Sequence, residues 1–136
     1  MSLNIGNLPM VRLFVQDTVH YQLDASSDDE WSALAPGEGL IDIHGDGKQY
    51  SIALFHQLRC LNLIRVDLGH IQAGGDAVSP SPIRRHCFNY LRQSALCHSD
   101  LNLDSVTEDN DVRGLHTYAC RDWSMVYEAV AHVQGA

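Results

Sequence analysis

Apolar and polar positions change period along this chain, and the change divides it near residue 52. Before that point the apolar runs are short and alternating, which predicts strands at Val11–Val15 and Val19–Leu23. Ser26-Ser27-Asp28-Asp29-Glu30 leading into Trp31 predicts a capped helical turn, closed by Pro36 and Gly37. Leu40–His44 and Gln49–Ile52 flank Gly45-Asp46-Gly47, where glycine accepts the positive φ of a tight turn, so a β-hairpin is expected.

Beyond residue 52 the spacing turns helical. Leu54, Leu58, Leu61 and Ile64 form one stripe, and Phe55 and Leu63 a second, so a central, largely apolar helix is predicted over Ile52–Leu68. Gly69 and then Gly74-Gly75 are expected to end it. Ser81-Pro82 predicts the start of another helix, with serine as cap and proline where its missing N–H does no harm, running to about Cys97. His98–Gly114 is acidic and polar and reads as a surface loop. A last helix is expected near Asp122, with Trp123, Val126, Tyr127 and Val130 on one face. The predicted class is therefore α+β and helix-rich: one domain over 1–136, with strands and loops in 1–52 forming a small β-hairpin region packed on three main helices in 53–136.

Charge and length narrow the function. A length of 136 residues suits one core, and 45% apolar residues suit a folded chain. The formal net charge of −8 argues against a nucleic-acid partner, which needs clustered Lys and Arg; Arg84-Arg85 with Arg92 is too small a cluster. Ser51–Val66 is interrupted by His56, Arg59 and Arg65, so no membrane span is expected, and Met1–Val15 has no basic lead followed by an apolar block. Cys60, Cys87, Cys97 and Cys120 would form two disulfides in an oxidising compartment, with three connectivities open, and core thiols or metal ligands in a reducing one. No Cys-x-x-Cys pair points to zinc.

The candidate chemistry lies in two short stretches, His56-Gln57-Leu58-Arg59-Cys60 and Ile83-Arg84-Arg85-His86-Cys87. Each is a His-x-x-His-Cys pattern with one histidine replaced, by Arg59 in the first and Ile83 in the second. On a helix His56, Arg59 and Cys60 share a face, and Tyr90 stands one turn beyond His86. If the two helices pack side by side, Cys60 and Cys87 can meet, and His56, Arg59 and His86 line one rim of the contact.

With these residues in place the chain resembles the UstYa-like family of fungal natural-product tailoring proteins. The resemblance runs through Ser27-Asp28-Asp29-Glu30-Trp31, Phe55-His56-Gln57-Leu58-Arg59-Cys60-Leu61, His86-Cys87-Phe88-Asn89-Tyr90-Leu91-Arg92-Gln93, Cys97-His98-Ser99-Asp100 and Cys120-Arg121-Asp122-Trp123. It implies oxidative tailoring such as cyclisation or halogenation, with copper, by proteins that carry a membrane anchor and face the secretory lumen. It also implies disulfides Cys60–Cys87 and Cys97–Cys120. Here Arg59 and Ile83 depart from the family pattern, and no anchor helix is visible.

Arginine stays protonated and isoleucine offers no lone pair, so two imidazoles remain of four. A copper set would have to be rebuilt from His56, His86 and His98, with His116 as a further spare. The remaining groups suit acid–base chemistry instead: His56 or His86 to move a proton, Arg59 to hold a carboxylate or developing oxyanion, and Tyr90 or Asp100 as a second donor or acceptor. The first expectation is a cofactor-free cyclase or isomerase acting on a small natural-product intermediate. Its alternatives are a copper oxidase and a non-catalytic partner subunit of an intact family member; homo- or hetero-oligomer formation fits all three.

Overall fold

The computed structural model describes residues 3–76, 79, 81–106, 112–113 and 117–135. Strand β1, Met10–Phe14, pairs antiparallel with a strand more than a hundred residues later, β6 at Thr117–Arg121, in the register Met10↔Arg121 to Phe14↔Thr117. Between them lie helix α1 (Asp28–Ala33), a 3₁₀ turn at Pro36–Gly39, and strands β2 (Leu40–Ile41) and β3 (Tyr50–Ser51). Helices α2 (Ala53–Gln72) and α3 (Pro82–His98) follow, then the short strands β4 (Ser105–Val106) and β5 (Val112–Arg113). Helix α4, Ser124–Gly135, comes after β6. No helix among the described residues is long and apolar enough to cross a membrane.

The predicted hairpin is present. β2 and β3 pair antiparallel, and the Asp42 carboxylate closes the turn by accepting from the backbone N–H groups of His44, Gly45 and Gly47. Those bonds hold the Asp42 carboxyl below the usual carboxylate range. Ile41 of β2, Phe55 of α2 and Val130 of α4 meet with Ala35 as the buried core, flanked by Leu54, Leu58, Val126 and Tyr127. Tyr127 packs edge-on against Phe55 at 5.1 Å and donates its hydroxyl to the Leu34 carbonyl at 2.6 Å. Gln134 Nε2 donates to the Pro36 and Leu40 carbonyls, tying the end of α4 to the 3₁₀ turn.

Several expectations are corrected. Val19–Leu23 is not a strand: Tyr21 has φ 56°, the Gln22 carbonyl accepts from the Trp31 indole, and the Leu23 carbonyl accepts from Arg65. Side chains, not a neighbouring strand, satisfy its backbone. Gly69 does not end α2, which continues to Gln72; a Cβ at Gly69 would stand 2.6 Å from the Leu23 carbonyl oxygen, so glycine is there for close approach. The expected loop over 98–114 contains β4 and β5. β6 belongs to the half expected to be helical.

Arg65 anchors this arrangement. Only 4% exposed, it donates to the carbonyls of Leu23 and Asp24, the Asp28 carboxylate and the Asn62 side-chain oxygen. A buried guanidinium is tolerated because its donors are used.

Candidate active site

Helices α2 and α3 run antiparallel along one seam. Ser81 caps α3 by accepting from the Arg84 N–H, and Pro82 occupies its first turn. The seam is fixed at three levels. Arg84 forms a bidentate ion pair with Asp67 at the bottom of α3. Cys60 and Cys87, both buried, form a disulfide with Cα atoms 4.9 Å apart. One turn along α2 from the bridge, His56 meets α3.

There the two imidazoles face each other, His86 Nε2 lying 3.2 Å from His56 Nε2. With both rings neutral, one Nε2 carries the hydrogen and the other accepts it, so the two histidines are opposite tautomers. Tyr90 stacks on His56 with ring centroids 3.8 Å apart and planes within 23°, so three rings form one layer. Burial first, then the charges of His86 and Arg59, hold the His56 pKa below the ordinary histidine value. His56 is thus kept as a neutral base, while His86 is exposed to solvent.

Arg59 stands one turn after His56. Its guanidinium turns toward the 3₁₀ turn and donates from Nη1 to the Glu38 carbonyl at 2.8 Å. It borders a groove of about 330 Å³ lined with Trp31, Ser32, Pro36, Glu38 and Asn62. A larger apolar groove, about 570 Å³, is lined by Ile64, Leu68, Ile71 and Phe88 with the Asp67–Arg84 pair. Of the aromatic residues in the sequence stretches above, Trp31 and Phe88 line these grooves, whereas Phe55 is fully buried core.

Two predicted site residues are not brought in. Asp100 follows α3 in a turn, its carboxylate accepting from the Asn102 backbone and side chain, and these bonds hold its pKa down. The rise from Tyr90 to the end of α3 alone is about 12 Å, so Asp100 does not reach the ring layer. His98 is bonded to the Ser94 carbonyl at the last turn of α3. Twelve residues separate it from His86, about 18 Å along the axis, so it cannot join His56 and His86 on one ion. His116 lies outside the described residues. The expected second bridge is not formed either: Cys97, exposed at the end of α3, and Cys120 in β6 are free thiols.

A copper ion can be tested against this geometry. Two imidazole nitrogens bound at about 2.0 Å to one tetrahedral ion stand about 3.3 Å apart, and the His56–His86 separation of 3.2 Å meets that. Among the described residues, however, no group of three or more His, Cys, Asp or Glu side chains is placed to hold a metal ion, the neighbouring cysteines being joined to each other, and the nearby Arg59 charge opposes a cation. The described residues supply two donors and do not complete a copper centre.

Residues 10–128 match the family model described as "Mycotoxin biosynthesis protein UstYa", and the chain belongs to that family. It is 30% identical over 121 residues to the "UstYa family oxidase phomYb" of Diaporthe leptostromiformis, covering 74% of this chain and 48% of that one. It is 28% identical over 146 residues to the "Oxidase ustYa" of Aspergillus flavus, covering 94% of this chain and 65% of the relative. The chain therefore spans about half to two thirds of the length of these two curated relatives. No solved structure matches it.

Sequence reasoning missed Arg65, Asn62 and the groove beside Arg59. The available signal was a charged residue, Arg65, inside an otherwise apolar helical run, where a buried role is costly and calls for several partners.

Proposed function

We propose that this protein is a tailoring enzyme of fungal secondary metabolism whose reacting centre is the His56–His86 pair. Its reaction is a redox-neutral ring closure or isomerisation of a small-molecule intermediate. The observation that carries this reading is the 3.2 Å contact between the two Nε2 atoms, with Tyr90 stacked on His56 and the disulfide immediately beside them. His56, held neutral, takes a proton from the substrate; the direct contact passes a proton to His86, whose exposed ring returns it to product or solvent. Tyr90 fixes the plane of the His56 ring. Arg59, its guanidinium turned toward the 3₁₀ turn, offers its charge to a negative group of the substrate. The disulfide fits the oxidising secretory lumen.

The relatives are named oxidases, and the imidazole separation is also one that a single metal ion accepts, so an oxidase is the second reading. Purified protein turning over its pathway precursor separates the two. Proton transfer predicts turnover that survives chelator and exclusion of oxygen, and that falls roughly 100-fold or more in His56→Ala and His86→Ala. Turnover that requires oxygen and stoichiometric copper would replace the first reading with the second.

A further inference from the structure

The groove beside Arg59 has the parts of an anion site. The Arg59 stem lies over Gly39, whose missing Cβ leaves room for both Phe55 and the Arg59 Cδ, and Nη1 is tied to the Glu38 carbonyl. The guanidinium is thereby held in place by one of its nitrogens. Its Nε and Nη2 edges remain for another partner, and among the described residues Arg59 takes part in no ion pair. An arginine held in this way offers a planar fork suited to a carboxylate.

Asn62 contributes on the same groove. Its side-chain oxygen accepts from both Nε and Nη2 of Arg65, which leaves the amide NH₂ as the group available to a ligand. Ser32 adds a hydroxyl. The Trp31 ring forms an apolar wall, fixed by its indole bond to the Gln22 carbonyl. Glu38 is the carboxylate of this lining, but it is exposed, and what meets Arg59 is its backbone carbonyl. In a chain of net charge −8, a guanidinium without a carboxylate partner in a concavity is a feature to explain.

We propose that this groove binds a carboxylate group of the substrate, so that the protein acts on an acid and Arg59 holds it with the reacting carbon toward His56. The placement toward His56 rests on the function proposed above; the carboxylate site itself does not. At about 330 Å³ the groove takes one end of a natural product and not the whole.

The test uses N-acetyl-L-leucine and its neutral amide as probes on the full ¹⁵N-labelled chain. The protein has two tryptophans, Trp31 in the groove and Trp123 elsewhere, so their indole N–H signals report separately. The acid is expected to move the Trp31 signal saturably and leave Trp123 in place. The amide, and the acid with Arg59→Gln, should bind at least about tenfold more weakly, with Arg59→Lys intermediate. His56→Ala should bind the acid as the parent does, so loss of turnover in that variant bears on the proton-transfer reading alone. Equal binding of acid and amide to the parent protein would overturn the proposal, as would no movement of Trp31 up to about 50 mM acid.

Discussion

Cys60 and Cys87 join α2 to α3 one helical turn from His56 and directly beside His86, so bridge and imidazole pair occupy successive levels of the seam. Closing a loop across 27 residues removes chain entropy from the unfolded state. The Cys60→Ala/Cys87→Ala double variant is expected to lose about 3.5 kcal/mol of stability in urea unfolding at 25 °C. A loss below about 1 kcal/mol would show that the seam is set by other contacts.

The pH dependence follows from His56. Its folded pKa lies below the unfolded value of about 6.5, chiefly through burial. Below that value the unfolded chain takes up a proton that the fold resists, so stability falls as pH drops through the window beneath about 6.5. The loss is complete once pH is under the folded pKa. Urea midpoints measured from neutral to mildly acidic pH should show this slope, and His56→Gln should flatten it.

Gly69→Ala tests the close approach between α2 and Leu23. Helix propensity alone favours alanine by about 1 kcal/mol. A Cβ would meet the Leu23 carbonyl oxygen at 2.6 Å, and backbone cannot yield as a side chain does. The expected net result is a destabilisation of about 1–3 kcal/mol in thermal or urea unfolding; a stabilised variant would contradict the packing described.

Arg65 and Asp28 should respond unequally although they form one ion pair. Arg65 is 4% exposed and also serves two backbone carbonyls and Asn62, whereas the Asp28 side chain is 56% exposed. Arg65→Met strands those acceptors and is expected to cost about 3 kcal/mol or more. Asp28→Asn keeps an acceptor oxygen for the guanidinium and leaves the carbonyl and Asn62 bonds in place, so it should cost less than Arg65→Met. Comparing their urea midpoints checks the difference.

What was legible in the sequence is what local chemistry decides. Ser81-Pro82 started α3, the glycines around Asp46 turned the hairpin, and the spacing of Val126, Tyr127 and Val130 gave α4 its buried face. The shared helical face of His56 and Cys60 brought both to the seam as expected. Long-range pairings stayed hidden. β6 is defined by β1, and Val19–Leu23 lost its strand character to Trp31 and Arg65, residues with no local pattern linking them to it. Asp100 and His98 looked close to the motif in the chain, but the rise of α3 carries them away from it.

The most direct measurement is the metabolite profile of a fungal host carrying the pathway with the parent gene, with His56→Ala or with His86→Ala, alongside immunoblots for the protein. If the imidazole pair is the reacting centre, both variants accumulate at parent level, lose the same product and build up the same precursor. Unchanged product from both well-expressed variants would contradict the account.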